Sequence, residues 1–346
     1  MLASHPVLIG ISSAYLLLKI FNFMKFLSIP ENGSSWAGSL IYEIDTESSS
    51  PKKITIDILD ADSNTSIGVC CLKGVTKARV DIAPYVRATT NLDLPTSAIS
   101  SLAISSGAKS IVLVVNGLRS EARLFFRAAF DYSRAQMLSR MPDKQRIVLG
   151  DVVRFTAFAQ SEVKVRMVIK TLLSSKQVML TCNSSARPVE AVIPTSTLPV
   201  QSSRLDVNVY CDEELVGSYS FEVEQRDDTA CTLAWFNYLG GVEYYTFPRS
   251  LRTAYDADVE RIKYGTKSRT RVKHSRVLRT LISGCEPSDE MERIGELIFS
   301  PVVYCCCDDE VEEADISKRH LSFDKHNRLP QVVVELTEQW RGGELC

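Results

Sequence analysis

Between Ser39 and Phe130 apolar and polar residues alternate in short runs: Ile54, Ile56 and Ile58 against Thr55 and Asp57, then Ser66 to Leu72, Ala78 to Val86, Ser110 to Val115 and Glu121 to Phe130. Successive side chains of an extended backbone point to opposite sides, so this period predicts strands and an all-β domain. Asn64, Gly68, Gly74 and Gly107 punctuate the runs, and Asn116-Gly117 predicts a two-residue hairpin turn. A second alternating stretch sets Val163, Val165, Met167 and Ile169 against Lys164, Arg166 and Lys170, and Leu205, Val207 and Val209 against Asp206 and Asn208. Cys211 to Glu214 turns the chain back into Val216 to Glu224, closing a unit the size of a small immunoglobulin-like or fibronectin-like sandwich. Between the two lies the polar stretch Ser133 to Lys144, ending in Met141-Pro142-Asp143, which reads as a linker.

The third region opens on Thr232 to Phe247, where six aromatic residues surround a Leu-Gly-Gly turn. Leu233, Trp235 and Leu239 are expected on one face and Ala234, Phe236 and Tyr238 on the other, with glycine supplying the positive φ of the turn. Both faces are largely apolar. A hairpin open to water on one side alternates, so this one is expected to be covered on both, by a core and by a neighbouring domain or subunit. Further on, Ser288 caps a predicted helix, Asp289 and Glu290 favour its first turn, Met291, Ile294, Leu297 and Ile298 form its apolar face and Pro301 stops it. Strands are predicted around it at Val277 to Ile282, Val302 to Cys307 and Gln331 to Leu336. The fold class expected is therefore mainly β: two sandwich-like domains (residues 24–132 and 146–227, joined by a linker at 133–145), then an α+β domain at 228–346 with one amphipathic helix.

Composition changes this picture little. The 346 residues are 45% hydrophobic and 24% charged, enough chain for two or three domains. A net charge of -2 gives no global attraction to nucleic acid or an anionic membrane, and neither is expected as a partner. Ten cysteines could suggest disulfides, but Cys70-Cys71 and Cys305-Cys306-Cys307 are contiguous and sit in apolar runs, as small strand residues in a reducing compartment would. No C-x2-C pair places two sulfurs on one metal, so no metal or other cofactor is expected. Val7 to Leu27 is apolar but interrupted by Lys19, Asn22 and Lys25, a poor membrane span, and it lacks a signal-peptide start; residues 1–23 are expected to be an upstream extension preceding a start at Met24.

Candidate chemistry is sparse. There is no nucleophile elbow, metalloprotease helix, P-loop or dinucleotide fingerprint, and His320 and His326 are the histidines nearest a turn. A carboxylate pair such as Glu243 with Asp256 or Asp258 can be imagined as a glycosidase dyad, but many chains offer such pairs, and no enzyme activity or small-molecule substrate is expected. Between Arg261 and Glu286 no residue is acidic. Within that stretch Arg269, Arg271 and Lys273 would share a face of a strand. A solvated edge strand is the first reading. The second is a contact between subunits with the acidic run that begins at Asp308, Asp309 and Glu310; binding of phosphates comes third.

These residues carry a resemblance. A β-rich first domain with V-D-I-A-P-Y-V (Val80 to Val86), a sandwich-like middle, an aromatic N-x-L-G-G hairpin (Trp235, Phe236, Asn237, Leu239, Gly240 and Gly241, continuing through Tyr244, Tyr245 and Phe247) and I-G-E-L-I-F-S-P-V-V-Y (Ile294 to Tyr304) together resemble virion and tail structural proteins of phages and prophages of Bacteroides-type bacteria. Tyr238 stands where that pattern often has serine, and the cysteines at 305–307 also depart from it. The resemblance implies a non-enzymatic tail or tail-adaptor protein, assembled in the host bacterial cytoplasm with other virion proteins and copies of itself. The alternative from another class is an exported bacterial surface protein whose sandwiches bind glycan or protein.

Overall fold

Alternating residues become strands wherever one side of the alternation finds a core. The computed structural model describes residues 24–89, 92–129, 134–199, 202–224, 230–264, 267–307, 310–316 and 331–339. The expected extension at 1–23 and the histidines at 320 and 326 lie outside them. The described residues are mainly β and divide into two compact units, residues 1–89 with 109–125 and residues 90–108 with 126–346.

In chain order the first unit holds β1 (Lys25–Ser28), β2 (Ser34–Ser35), β3 (Ile41–Asp45), β4 (Lys52–Asp60), β5 (Ser66–Val75), β6 (Lys77–Asp81) and helix α1 (Ala83–Ala88). The chain then lends β7 (Ser101–Ile104) to the second unit and returns with β8 (Ala108–Val115), β9 (Leu118–Arg119) and β10 (Arg123–Phe126). A three-stranded sheet, β1-β3-β6, and a larger one, β2-β10-β8-β4-β5 with β9 beside β8, enclose one core: Tyr42 and Ile44 from the small sheet, Ile54, Ile56, Ile58, Ile111, Leu113 and Val115 from the large one. The Asn116-Gly117 turn forms as expected, with φ of 45° and 93° between paired Val115 and Leu118. The expected strand from Ala78 to Val86 needs correcting, because it ends at Asp81 and Ala83–Ala88 is helical. Pro84 explains the switch, since its fixed φ and missing N–H suit the first turn of a helix and would interrupt a ladder. Asp81 Oδ1 accepts the N–H of Ala83 (3.0 Å) and of Leu40 (2.9 Å).

The second unit begins with a sandwich. Its strands are β11 (Gln136–Met137), β12 (Lys144–Val148), β13 (Val152–Phe158), β14 (Glu162–Thr171), β15 (Ser175–Asn183), β16 (Pro188–Pro194), β17 (Ser202–Cys211) and β18 (Glu214–Glu224). One sheet runs β11-β13-β16-β7 and the other β12-β18-β17-β14-β15. With β11 and β12 as halves of strand A, the first sheet is A-B-E-D and the second carries G-F-C, the immunoglobulin-type arrangement. Strand D is the exception: its place is taken by β7, from far upstream, paired Val189 to Ile104. The stretch expected as a linker is strand A itself. Pro142 interrupts the ladder there, and the chain passes from β11 in one sheet to β12, parallel to β18, in the other.

The rest comprises β19 (Cys231–Phe236), β20 (Val242–Phe247), β21 (Arg249–Tyr264), β22 (Lys267–Ile282), helix α2 (Ser288–Gly295), a 3-10 turn (Glu296–Ile298), β23 (Val303–Cys307), β24 (Glu310–Ile316) and β25 (Val333–Gln339). These strands form a seven-stranded sheet, β20-β19-β23-β24-β25-β22-β21. Its two edge strands are joined through Pro248 alone. Laid flat, edges of such a sheet would be roughly 29 Å apart at about 4.8 Å per strand spacing, whereas two residues span at most about 7 Å. The sheet therefore curls until those ends meet, around a core of Leu233, Trp235, Phe247, Leu281, Val334 and Leu336 that Met291, Ile294 and Leu297 of the helical segment complete. Ser288 is the first helical residue of α2 and not its cap; Pro287 precedes it and accepts the Met291 N–H (3.0 Å).

Candidate functional site

The aromatic hairpin is buried on both faces, as its sequence required. Cys231, Leu233, Trp235 and Phe247 enter the core of the curled sheet, while Ala234, Phe236, Val242 and Tyr244 enter the core of the sandwich. The hairpin is thus the layer shared by two cores of one unit. Its strands end earlier than expected: Tyr238 and Leu239 belong to the turn, and Tyr238 is 47% exposed.

Each conspicuous residue of the turn has a physical task. Gly240 has a φ of 77°. Gly241 lacks a positive φ, and its requirement is space: a Cβ there would lie 2.5 Å from Leu138 O and 2.6 Å from Leu138 C, both backbone atoms. Asn237 closes the turn, its O accepting from Gly240 N (3.0 Å), its N donating to Gly241 O (3.0 Å) and its Oδ1 accepting from Gly241 N (2.9 Å). Asn237 Nδ2 donates to Leu138 O (2.7 Å) and to Glu243 Oε1 (2.6 Å). Only an amide accepts and donates in this way, so aspartate could not serve.

Glu243 is fully buried and anchors a charged network. Its Oε1 also accepts from Arg140 N (2.6 Å), and its Oε2 accepts from Arg293 (2.8 Å). Arg293, itself buried, donates through Nε to Glu290 Oε2 (2.8 Å), through a second nitrogen to Glu290 Oε1, and to Tyr244 O (3.1 Å). Burial works against the guanidinium charge, yet Glu290 and Glu243 outweigh it and push the Arg293 pKa above its ordinary value. Ser139 and Thr156 complete the enclosure. Thr156 Oγ1 accepts from Val242 N (3.0 Å), and Ser139 Oγ accepts from Thr156 N (2.8 Å) while donating to Val242 O.

The two motifs noticed separately in the sequence are neighbours. β19 pairs with β23, Leu233 opposite Cys305 and Trp235 opposite Val303, and Ser300 Oγ accepts the Phe236 N–H (3.1 Å) while donating to Val302 O (2.6 Å). Tyr245 packs edge-on to Phe247 and donates to Glu286 Oε1 (2.8 Å). Tyr244 OH lies 3.4 Å from Gln145 Oε1. Arg293, Glu290, Ser139, Arg140 and Thr156 were missed from sequence. The one available signal was the i, i+3 spacing of Glu290 and Arg293 beside the apolar face of α2.

Other candidates are not brought together. Glu243 is buried in the network, whereas Asp256 and Asp258 lie on the exposed β21–β22 ribbon. Asp256 accepts from Arg276 Nε (3.1 Å). On β22, Arg271 stands opposite Glu260, Arg269 opposite Ile262, and Lys273 falls at a register shift between Asp258 and Val259. The ribbon itself thus sets carboxylates opposite part of the basic run. Asp308 and Asp309 lie outside the described residues, and Glu310 begins β24 opposite Cys307.

No family model matches the chain, and no curated protein is similar to it. Among solved structures, the crystal structure of Dpr2 Ig1-Ig2 in complex with DIP-Theta Ig1-Ig3 aligns at 9% identity over 58% of this chain and 99% of that one, with a TM-score of 0.18. A likeness of that size carries no argument, and the immunoglobulin-type strand order rests on the sheet topology alone.

Proposed function

We propose that this chain is a non-catalytic structural component of a phage particle, at the tail or its adaptor, that assembles through contacts of its β domains with copies of itself and other virion proteins. The β21–β22 ribbon carries this reading. Its strands are sixteen residues each, β25 pairs with β22 only from Arg276 to Ile282, and β21 has no strand neighbour but β22 among the described residues. A two-stranded ribbon is marginal in water by itself, and a long edge strand is a template for pairing with another chain. The resemblance of the hairpin and Ile294 to Tyr304 to tail proteins supports the same reading. So does the buried network, whose donors and acceptors are bonded to one another where two cores meet.

The test is recovery from the native source. Purified particles should contain the chain by mass spectrometry, and replacing residues 257–275 with a short turn should leave a folded protein that no longer incorporates. A stable monomer absent from particles, or one that fractionates with the cell envelope as an exported surface protein would, sinks the proposal.

A further inference from the structure

The tip of the β14–β15 hairpin exposes two adjacent leucines, Leu172 at 86% and Leu173 at 91%. Neither enters the sandwich core. The turn does not need them, since neither adopts a positive φ and its hydrogen bonds come from the flanking residues. Thr171 N donates to Ser174 O (2.9 Å), and Thr171 Oγ1 accepts from Leu173 N (3.3 Å) and Ser174 N (3.0 Å). Polar residues at 172 and 173 would preserve all of these bonds. The leucines therefore present apolar surface to water with no return in the fold of this chain.

Behind them the hairpin is basic. Beyond Glu162, which with Glu213 pairs Lys164 at the far end of the hairpin (2.7 and 3.8 Å), no acidic residue occurs from Val163 to Val189, while Arg166, Lys170 and Lys176 lie on β14 and β15 toward the tip. Nearest the tip, Lys176 is exposed, and Lys170 and Arg204 share Asp206, each at 2.6 Å. With Glu222 opposite Arg204, the collar holds three cations against two carboxylates. An apolar socket on a protein would suit the leucines and leave the cationic hairpin without a role. A bilayer with anionic headgroups suits both, taking leucine side chains at the headgroup–acyl boundary and lysines at the phosphates above it.

We propose that the β14–β15 tip docks on an anionic lipid bilayer. The inference rests on this hairpin alone and does not depend on the virion reading. The full chain is mixed with vesicles of phosphatidylcholine containing phosphatidylglycerol, at millimolar lipid, and bound protein is measured by flotation. Binding is expected, weakened by salt, lower on phosphatidylcholine alone, and reduced roughly tenfold or more in the Leu172→Ser/Leu173→Ser variant. That variant should unfold at the wild-type temperature, since both positions are exposed. Absent binding, equal binding to neutral vesicles, or undiminished binding by the folded variant would overturn the proposal.

Discussion

Two consecutive hairpins, β19–β20 and β21–β22, share one backbone motif and one sheet yet solve opposite problems. The first has six residues per strand, lies between two cores and keeps its one charged residue, Glu243, buried; the second has sixteen per strand, and Arg252, Asp256, Asp258, Glu260 and Lys263 of β21 stand in water. Length therefore says little about which hairpin holds the molecule together. In the short one Glu243 is 0% exposed at the side chain and its partner Arg293, from α2, 3%, so each requires the other; in the long one Arg276 and Asp256 are about half exposed, and water substitutes for either.

The sharpest way to break this contrast is to remove the matching cations. Arg293→Met leaves Glu243 and Glu290 buried without a countercharge and should cost about 3–5 kcal/mol, enough to prevent folding in many domains; denaturant unfolding or soluble yield measures it. Gly241→Val comes next. Its side chain meets the Leu138 backbone, which cannot rotate away, and the loss should be about 1–3 kcal/mol or more in thermal unfolding. A wild-type-like midpoint would show that this turn can shift away from residue 138.

A third hairpin, β17–β18, lies between the extremes. Asp212 in its turn accepts from Gln160 N (2.8 Å), Ser161 N (2.8 Å) and Glu162 N (3.1 Å). Burial pushes this carboxyl up, but the three bonds outweigh it and hold its pKa below the usual aspartate value. The stabilisation is thus fully present above the unfolded pKa of about 3.9 and is lost as pH falls through the lower folded value. Asp212→Asn should unfold more easily than wild type at pH 6, and the gap should narrow toward pH 2. Smallest of all is the ribbon: Arg276→Met should change stability by no more than about 1 kcal/mol, and hydrogen exchange of the β19–β20 amides should be unaffected. A larger effect would mean that the ribbon is part of the core after all.

The buried hairpin was legible because both of its faces are largely apolar, and burial on both sides is the only arrangement that spares Trp235 and Phe236 from water. The network beneath it was not. Arg140 and Arg293 are about 150 residues apart in the chain, and no local pattern announces that both will reach Glu243. Gly241 was noticed for the wrong reason: a glycine pair suggests positive φ, and only the fold shows that Gly240 has it while Gly241 gives room to Leu138.

By itself the sequence determined the cleanly alternating strands such as β4, β14 and β17, the Asn116-Gly117 turn, the helix near Met291 and the two-faced burial of the hairpin, because each follows from the local period of side chains or from the φ a residue can adopt. Tertiary structure alone decided that β7 fills the strand D position of the sandwich, that Pro142 splits strand A between its sheets, that the last sheet curls until its edges meet, and that Glu243 is paired with Arg293. Those outcomes depend on which distant surfaces exclude water from one another. Nothing in a local stretch of the chain encodes that.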